Sequence, residues 1–376
     1  MPESVLLAGG GTAGHVNPLL AVADELRDRD PSTRVTVLGT AEGLEADLVP
    51  ARGYPLVHVP RVPLPRRPSA DLFSVPSRLR AAVAAAQEAI VASGARVVVG
   101  FGGYVSTPAY LAARRCGVPV VVHEQNARPG LANRLGARRA AAVAVTFPGT
   151  PLRGARLTGL PLRREIAALA RARRADALAA RRDAAAALGL DPARTVLLVT
   201  GGSLGAQSLN VAMAGAAGEL AALGPARPQV LHLTGRGKDA DVRAAVEAAG
   251  LGGDYVVAEY LLEMERALAV ADLVLCRAGA GTVAEFTALG IPAAYVPLPV
   301  GNGEQRLNAQ PAVDAGGGLL VEDRLLSPAW VRATLLPLLG DRARREEMAA
   351  AATRVGRPDA ASAVADLVVE AARGAR

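Results

Sequence analysis

Short apolar runs alternate with amphipathic stretches through the first half of the chain. The runs occupy residues 5–8, 35–38, 56–59, 97–99, 118–122 and 142–146. After the first run, apolar residues recur at helical spacing, at Val16, Leu19, Leu20, Ala23 and Leu26. Buried strands that alternate with amphipathic helices are typical of a parallel β-sheet covered by helices on both faces.

The second half repeats this plan. A new apolar run at 195–200 leads into a glycine-rich segment and a helical pattern, and further runs follow at 230–233, 255–257, 273–275, 293–296 and 319–321. The two glycine-rich segments begin 192 residues apart (201 minus 9). The chain is therefore predicted to be an α/β protein with two Rossmann-like domains that face each other across a cleft at the carboxyl ends of their strands.

Length and pattern set the predicted boundaries. A chain of 376 residues suits two domains rather than one core. We expect an N-terminal domain at 1–163, a helical linker at 164–190, a C-terminal domain at 191–355 and, at 356–376, a C-terminal helix that packs back on the first domain.

Composition indicates a soluble intracellular protein. Hydrophobic residues make up 51% of the chain, but no apolar run is long enough to span a membrane. Glu3 and the brevity of the first apolar run argue against a signal peptide. Cys116 and Cys276 lie in unrelated segments, so we expect small buried side chains rather than a disulfide.

The first glycine turn, residues 9–14, joins the first strand to the first helix. Glycine lets backbone amides approach an anion closely, and a helix N-terminus favours negative charge, so the turn can cradle a phosphate. Gly9, Gly11 and Gly14 also fit the dinucleotide-binding spacing. That alternative is weakened because the second strand ends in Gly39-Thr40 and the nearest acid is Glu42. A plain strand-to-helix connection is the third possibility.

His15 follows this turn in the first turn of the helix. The helix dipole disfavours a protonated imidazole there. A neutral histidine at the mouth of a cleft can serve as a general base. The alternative is a purely structural histidine.

The densest polar segments lie in the second half, at 276–285 and 302–308. Arg277 and the exposed amides of 279–281 are candidates to hold a pyrophosphate. Glu285 is a candidate to accept both hydroxyls of a ribose. Thr282 with Glu285, and Asn302 with Gln305, also have the spacing of helix capping boxes, so capping stays open as the alternative role.

Charge is concentrated in one stretch. The net charge is +7, and residues 61–139 hold twelve arginines against three acids. Aromatic residues are only 3%, which leaves little for bases to stack on, so an anionic membrane surface or a phosphate-bearing substrate fits better than nucleic acid. Within 61–90, a helix with basic flanks is predicted either to lie on a bilayer or to pack normally with an arginine-coated outer face. Its apolar positions are Leu72, Val75, Leu79, Val83 and Ile90.

Metal-dependent chemistry is not expected. Two D-x-D strings, 28–30 and 239–241, resemble the metal-binding pairs of some transferases. The first closes a predicted helix and the second opens one, so both are interpreted as solvated helix ends. The sequence also contains no Cys/His cluster with metal-ligand spacing and no nucleophile elbow.

Taken jointly, these motifs resemble the MurG family of UDP-N-acetylglucosamine transferases. The matching segments are 10–16 with Pro18, 102–106, 123–126, 158–159 with Pro161 and Arg163, 201–206 and 276–285. They span most of the chain in the family's order. The resemblance implies a GT-B fold in which the second domain binds the donor and the first binds the acceptor.

The resemblance also implies site residues. Contacts to UDP-N-acetylglucosamine are expected from Thr12, Ala13, Gly14, Asn126, Arg163, Ser203, the Leu261 backbone, Arg277, Ala280, Gly281, Thr282, Val283, Ala284, Glu285 and Gln305. Acceptor-side residues would be Gly103, Tyr104, Glu124 and Gln125, with His15 as candidate base. The implied reaction transfers N-acetylglucosamine to lipid I with inversion, without cofactor or metal, at the cytoplasmic face of the membrane.

The sequence departs from the family's pattern at two positions, and two other functions remain as alternatives. Ala13 stands where the family often has a second glycine, and Glu304 stands where it often has a paired glutamine, next to the expected sugar contact. A hydrolysing UDP-N-acetylglucosamine 2-epimerase shares the two-domain plan, although its carboxylate-rich site is not evident. A non-catalytic protein that binds a nucleotide sugar or a membrane is the third class.

Overall fold

The computed structural model describes residues 1–62 and 75–374. The chain forms two compact units. The first contains Met1–Arg164 and Arg357–Arg376, and the second contains Glu165–Gly356.

The first unit contains a seven-stranded parallel sheet. Its strands are β1 (Ser4–Ala8), β2 (Arg34–Gly39), β3 (Leu56–His58), β4 (Val97–Gly100), β5 (Val120–Glu124), β6 (Ala142–Val145) and β7 (Ala155–Leu157). The intervening helices are α1 (Ala13–Arg29), α2 (Glu45–Ala51), α3 (Val75–Ser93), α4 (Ser106–Arg115) and α5 (Leu131–Ala137). The strand order is β3-β2-β1-β4-β5-β6-β7, so the order reverses between β1 and β4.

The second unit contains a six-stranded parallel sheet. Its strands are β8 (Val196–Thr200), β9 (Gln229–Leu233), β10 (Tyr255–Ala258), β11 (Leu273–Cys276), β12 (Ala293–Tyr295) and β13 (Gly318–Leu320). The helices of the second unit are α6 (Arg164–Leu188), α7 (Gln207–Gly215), α8 (Ala217–Ala222), α9 (Ala240–Ala248), α10 (Met264–Val270), α11 (Ala280–Leu289), α12 (Glu304–Asp314), α13 (Pro328–Trp330), α14 (Leu336–Gly340) and α15 (Arg342–Val355). The strand order β10-β9-β8-β11-β12-β13 reverses between β8 and β11.

Both central strand pairs are fully buried, as the apolar runs predicted. Residues 5–8 of β1 and 196–199 of β8 have no exposed surface, because helices cover both faces of a doubly wound sheet. Ala8 pairs with Gly100 and Thr200 pairs with Cys276, so adjacent strands end at the same level. The predicted doubly wound α/β plan is confirmed for both halves of the chain.

Residues 164–190, predicted as a helical linker, contain α6 (Arg164–Leu188), which belongs to the second unit from Glu165 onward. The guanidinium of Arg181 binds the Asp272 carboxylate at 2.9 Å and the carbonyl of Val270 at 2.8 Å. At Asp176 the backbone leaves helical geometry, and its carboxylate accepts the amide of Ala179, as an N-cap does. This region is therefore two helical segments fastened to the second sheet.

The last helix, α16 (Ala360–Arg373), belongs to the first unit. Val364, Leu367 and Val368 join the apolar core that contains α1 and β1. Arg29 bonds to Asp366 at 2.6 Å and Arg156 to Glu370 at 2.6 Å. Both ion pairs are exposed, so burial of the apolar face is the larger contribution to holding this helix.

Within the described ranges, no helix combines the length and the apolar character needed to cross a membrane.

Candidate active site

In the first unit, three loops meet where the strand order reverses. The first glycine turn follows β1, residues 101–105 follow β4 and residues 125–130 follow β5. In doubly wound sheets ligands bind at the carboxyl ends of the strands at this point. The topology therefore brings together His15, Gly103, Tyr104 and Asn126.

His15 is the third residue of α1. Its Nδ1 lies 3.1 Å from the Thr12 hydroxyl, and Gly102, with a φ of +89°, comes so close that a Cβ there would lie 3.2 Å from the His15 Nε2. Burial lowers the pKa of His15 below its ordinary value, while the Gly10 backbone and the charge of Glu45 oppose this shift. The imidazole is therefore neutral at physiological pH, which is the form that can accept a proton.

Gly103 and Tyr104 line the same loop cluster. Gly103 has a φ of +77°, and a Cβ there would lie 2.7 Å from the Gly10 carbonyl oxygen, so this close approach of two loops requires glycine. The Tyr104 side chain is 42% exposed, with the Arg61 guanidinium 5.5 Å from its ring centre. Tyr104 is thus available to a ligand at the surface of the first unit.

Glu124 and Gln125, predicted on the acceptor side, are both buried. The Glu124 carboxylate accepts the amides of Asn126 at 2.9 Å and Gly130 at 3.0 Å. Burial raises the pKa of Glu124, and these donors oppose the rise. Gln125 donates to the carbonyl of His123 at 3.1 Å. Both side chains shape the loop that carries Asn126.

Sequence reasoning missed Glu45. This fully buried carboxylate accepts the amide of Gly11 at 2.8 Å and the amide of Thr40 at 2.9 Å. Glu42, the acid nearest in sequence to the end of β2, has an exposed side chain that lies 3.5 Å from Arg61. The glycines at 39 and 43, on either side of this loop, were the sequence signal that could have pointed to Glu45.

In the second unit, the turn that follows β8 lies beside the loop that follows β11. The second glycine turn, residues 201–206, presents Ser203 at the surface. Gly205, with a φ of +66°, lies so close to the Thr234 carbonyl that a Cβ would approach its oxygen to 2.0 Å. Gly202, Ser203 and Leu204 are thus exposed at the point where the strand order reverses.

Arg277 is held by partners inside the second unit. Its guanidinium donates to Asp323 at 2.5 Å, to the Ser208 hydroxyl at 3.0 Å and to the carbonyl of Val296 at 3.2 Å. Only 14% of the side chain is exposed. Sequence reasoning missed Ser208 and Asp323. The group predicted to hold a pyrophosphate thus fixes the loop between β11 and α11.

The capping alternatives for Thr282 and Gln305 are wrong. Helix α11 begins at Ala280 after Gly279, which places Thr282 and Glu285 inside the helix. The Gln305 oxygen accepts the amides of Ala278 at 3.2 Å and Leu298 at 3.0 Å, so it does not reach back to Asn302. Gln305 therefore ties two loops at the carboxyl edge of the second sheet.

The other predicted donor-binding residues fall in both units. Thr12, Ala13, Gly14 and Arg163 belong to the first, and Leu261, between β10 and α10, belongs to the second. Thr12, Ala13 and Gly14 are exposed, and Leu261 is half-buried.

The two D-x-D strings lie at helix ends, the first closing α1 and the second opening α9. Among residues 1–62 and 75–374, no group of three or more His, Cys, Asp or Glu side chains is placed to hold a metal ion.

Family models match both units. Residues 5–145 match the glycosyltransferase family 28 N-terminal domain, and residues 196–364 match the glycosyltransferase family 28 C-terminal domain. Two doubly wound units, each with a glycine turn where the strand order reverses, define a GT-B glycosyltransferase.

The chain is also similar over nearly its whole length to a named enzyme of Nocardioides sp., the UDP-N-acetylglucosamine–N-acetylmuramyl-(pentapeptide) pyrophosphoryl-undecaprenol N-acetylglucosamine transferase. The two are 54% identical over 98% of each chain. The crystal structure of MurG from Acinetobacter baumannii superposes with a TM-score of 0.78 at 28% identity, covering 98% of this chain and 100% of that one. The chain belongs to the MurG family.

The epimerase considered as an alternative is similar to this chain in fold. A UDP-GlcNAc 2-epimerase from Neisseria meningitidis, solved with UDP-GlcNAc bound, superposes with a TM-score of 0.70 over 98% of this chain and 100% of that one. Its sequence identity is 15%, so this likeness shows a shared architecture alone.

Proposed function

We propose that the chain transfers N-acetylglucosamine from UDP-N-acetylglucosamine to the 4-hydroxyl of the muramyl sugar in lipid I, forming a β-1,4 link and so lipid II. The observation that carries this proposal is the 54% identity, over 98% of both chains, to a transferase named for this donor and acceptor. A half-buried histidine on the first unit and a glycine turn with an exposed serine on the second supply the chemistry that such a transfer requires.

The proposed reaction is a direct displacement that inverts the anomeric carbon. The His15 imidazole takes the proton of the acceptor hydroxyl as its oxygen bonds to the anomeric carbon. The bond from that carbon to the diphosphate breaks, and its electron pair leaves with UDP. Hydrogen-bond donors fixed around the developing negative charge lower the barrier, a role that we assign to Ser203 and the amides of 201–206.

The donor and acceptor are assigned to different units. The second unit would bind UDP-N-acetylglucosamine through Ser203, the start of α11 and Gln305, with Glu285 on the ribose. In this assignment Arg277 is a positioning residue, because Asp323 and Ser208 engage its guanidinium. The first unit, residues 1–163, would bind the acceptor near His15, Gly103 and Tyr104.

The decisive experiment is transfer of labelled sugar by the purified chain. We expect label from UDP-N-acetylglucosamine, and not from other nucleotide sugars, to appear on a lipid-pyrophosphate muramyl acceptor. Donor incubated alone should remain unchanged. Epimer formed without acceptor would identify an epimerase, and absence of transfer by the purified protein would favour a non-catalytic binding role.

We further propose that the protein works as a peripheral protein at the cytoplasmic membrane face, with the 61–90 region on the anionic surface. Val83 and Ile90 of α3 lie in the core of the first unit, which favours the packed-helix alternative for this stripe. Leu72, Arg66 and Arg67 lie outside the described residues. Attraction through exposed arginines such as Arg78 and Arg80 is therefore the interaction to test.

Replacing Arg78 and Arg80 with serine should weaken binding to anionic vesicles by about fivefold per arginine, since each basic side chain near such a surface contributes about 1 kcal/mol. Sedimentation with anionic and neutral vesicles at two salt concentrations measures this. The control is the double change of Arg171 and Arg174, which are exposed on α6 and alter net charge equally. Equal loss in both variants would attribute the binding to net charge.

A further inference from the structure

The first glycine turn already holds an anion of its own. The Glu45 carboxylate accepts the amide of Gly11 at 2.8 Å through one oxygen. The other oxygen accepts the amide and the hydroxyl of Thr40 at 2.9 and 2.8 Å. The whole residue is excluded from solvent. A buried carboxylate thus joins the loop after β2 to the turn after β1.

Three glycines make room for this carboxylate. A Cβ at Gly10 would lie 2.2 Å from one Glu45 oxygen, and a Cβ at Gly43 would lie 2.1 Å from the other. A Cβ at Gly39 would lie 2.6 Å from the Glu45 Cγ. Glycine at positions 10, 39 and 43 is therefore explained by an internal side chain that occupies the space.

Glu45 is also charged. Burial alone would raise the pKa of Glu45, but the donors of Gly11 and Thr40 outweigh it and leave this pKa below its ordinary value. The partial positive charge of the Gly11 amide is thus met by a carboxylate within the molecule.

The second glycine turn differs from the first in the groups that accept its amide hydrogens. In residues 201–206 the Gly202 amide donates to the Thr200 hydroxyl at 3.2 Å, and the Gly205 amide donates to the carbonyl of Gly202 at 2.9 Å. Among the described residues, no carboxylate accepts an amide hydrogen from this turn. The two turns look alike in sequence, yet only the first encloses a negative charge.

We propose that Glu45 is the resident anion of the first glycine turn, where it excludes phosphate from the Gly11 amide and positions the backbone that leads into His15. A carboxylate repels a phosphoryl group but tolerates a neutral sugar hydroxyl. The Gly11 position thereby favours an uncharged part of the substrate, and the diphosphate of the donor is left to the second turn. The catalytic part of this inference rests on the proposed function, and the phosphate exclusion does not.

Phosphate exclusion is tested without turnover. Amide spectra of glycine-labelled protein are recorded during titration with inorganic phosphate. In the wild type the Gly11 resonance should stay in place, whereas in the Glu45→Ala variant it should shift saturably because the vacated donors can bind an anion. UDP should shift the Gly202 resonance in both proteins, which shows that the variant is folded. Equal Gly11 shifts in both proteins, or none in the variant, would overturn the proposal.

The positioning role is tested with Glu45→Gln, which keeps the shape of the side chain but presents an NH₂ group where one oxygen accepted a donor. We expect kcat to fall about 10- to 100-fold, as for loss of a hydrogen bond to a charged group, with KM for UDP-N-acetylglucosamine within about twofold. Glu42→Gln, on the same loop and exposed, is the matched control and should retain wild-type kcat.

The outcomes distinguish failure of the proposed function from failure of the inference about Glu45. If the wild type shows no transfer, the proposed function fails, and the phosphate titration still decides the exclusion. If the wild type transfers and Glu45→Gln keeps its kcat, the positioning role is excluded. An equal rise in donor KM and fall in kcat would indicate general disruption of the fold and would also overturn it.

Discussion

Replacing His15 with alanine is expected to lower kcat by about 10²- to 10⁴-fold, while the dissociation constant for UDP-N-acetylglucosamine changes little. The loss is that of a positioned general base, and the donor is assigned mainly to the second unit. Transfer assays and calorimetric titration of the donor measure the two quantities separately. His58→Ala, at the end of β3 and exposed, is the histidine control.

The pH profile of the same variants provides an independent test. Burial lowers the pKa of His15, so wild-type kcat/KM should fall on the acidic side only below the pKa of an ordinary histidine, where the base becomes protonated. The Gly10 backbone and the negative charge of Glu45 limit how far the pKa of His15 is lowered. His15→Ala should abolish this acidic limb. Unchanged turnover in the variant would remove His15 from the chemistry.

The fold could be predicted because its determinants are local. Strands buried on both faces are continuous apolar runs, and glycine turns after the first strand of each half mark where the chain reverses order. Ala8 and Gly100 end two paired strands, which is why residues after them converge. The sequence thus predicted that His15 and Ser203 come soon after the first strand of each half, where the structure has them after β1 and β8, while their roles stay predictions.

The missed residues depend on contacts between distant segments. Glu45 binds an amide 34 positions away, and Arg277 binds Asp323, 46 positions away. Neither pairing follows from spacing along one element. The α3 stripe left two alternatives open for another reason, since a helix packed on a sheet and a helix on a bilayer have the same apolar period. Val83 belongs to the core, which favours the packed helix.

The sequence left two roles open for Glu285, and the structure excludes one of them, helix capping. Gly279 precedes α11, so the helix start does not depend on Thr282 or Glu285 for a side-chain cap. Replacing Glu285 with alanine should therefore weaken binding of UDP-N-acetylglucosamine about 10- to 100-fold, the effect of losing hydrogen bonds to a charged group. Loss of a helix cap would lower the free energy of unfolding by about 1 kcal/mol, and no loss of this origin is expected because α11 has no side-chain cap.

A donor analogue lacking one ribose hydroxyl separates recognition from general damage at this site. The wild type should bind the deoxy analogue more weakly than UDP-N-acetylglucosamine, and Glu285→Ala should bind both alike, because the group that distinguishes them has been removed. Glu247→Ala, on the exposed surface of α9 in the same unit, should retain full discrimination. If Glu285→Ala still prefers the intact ribose by the wild-type factor, the carboxylate does not contact those hydroxyls, and another group of the second unit recognises the nucleoside.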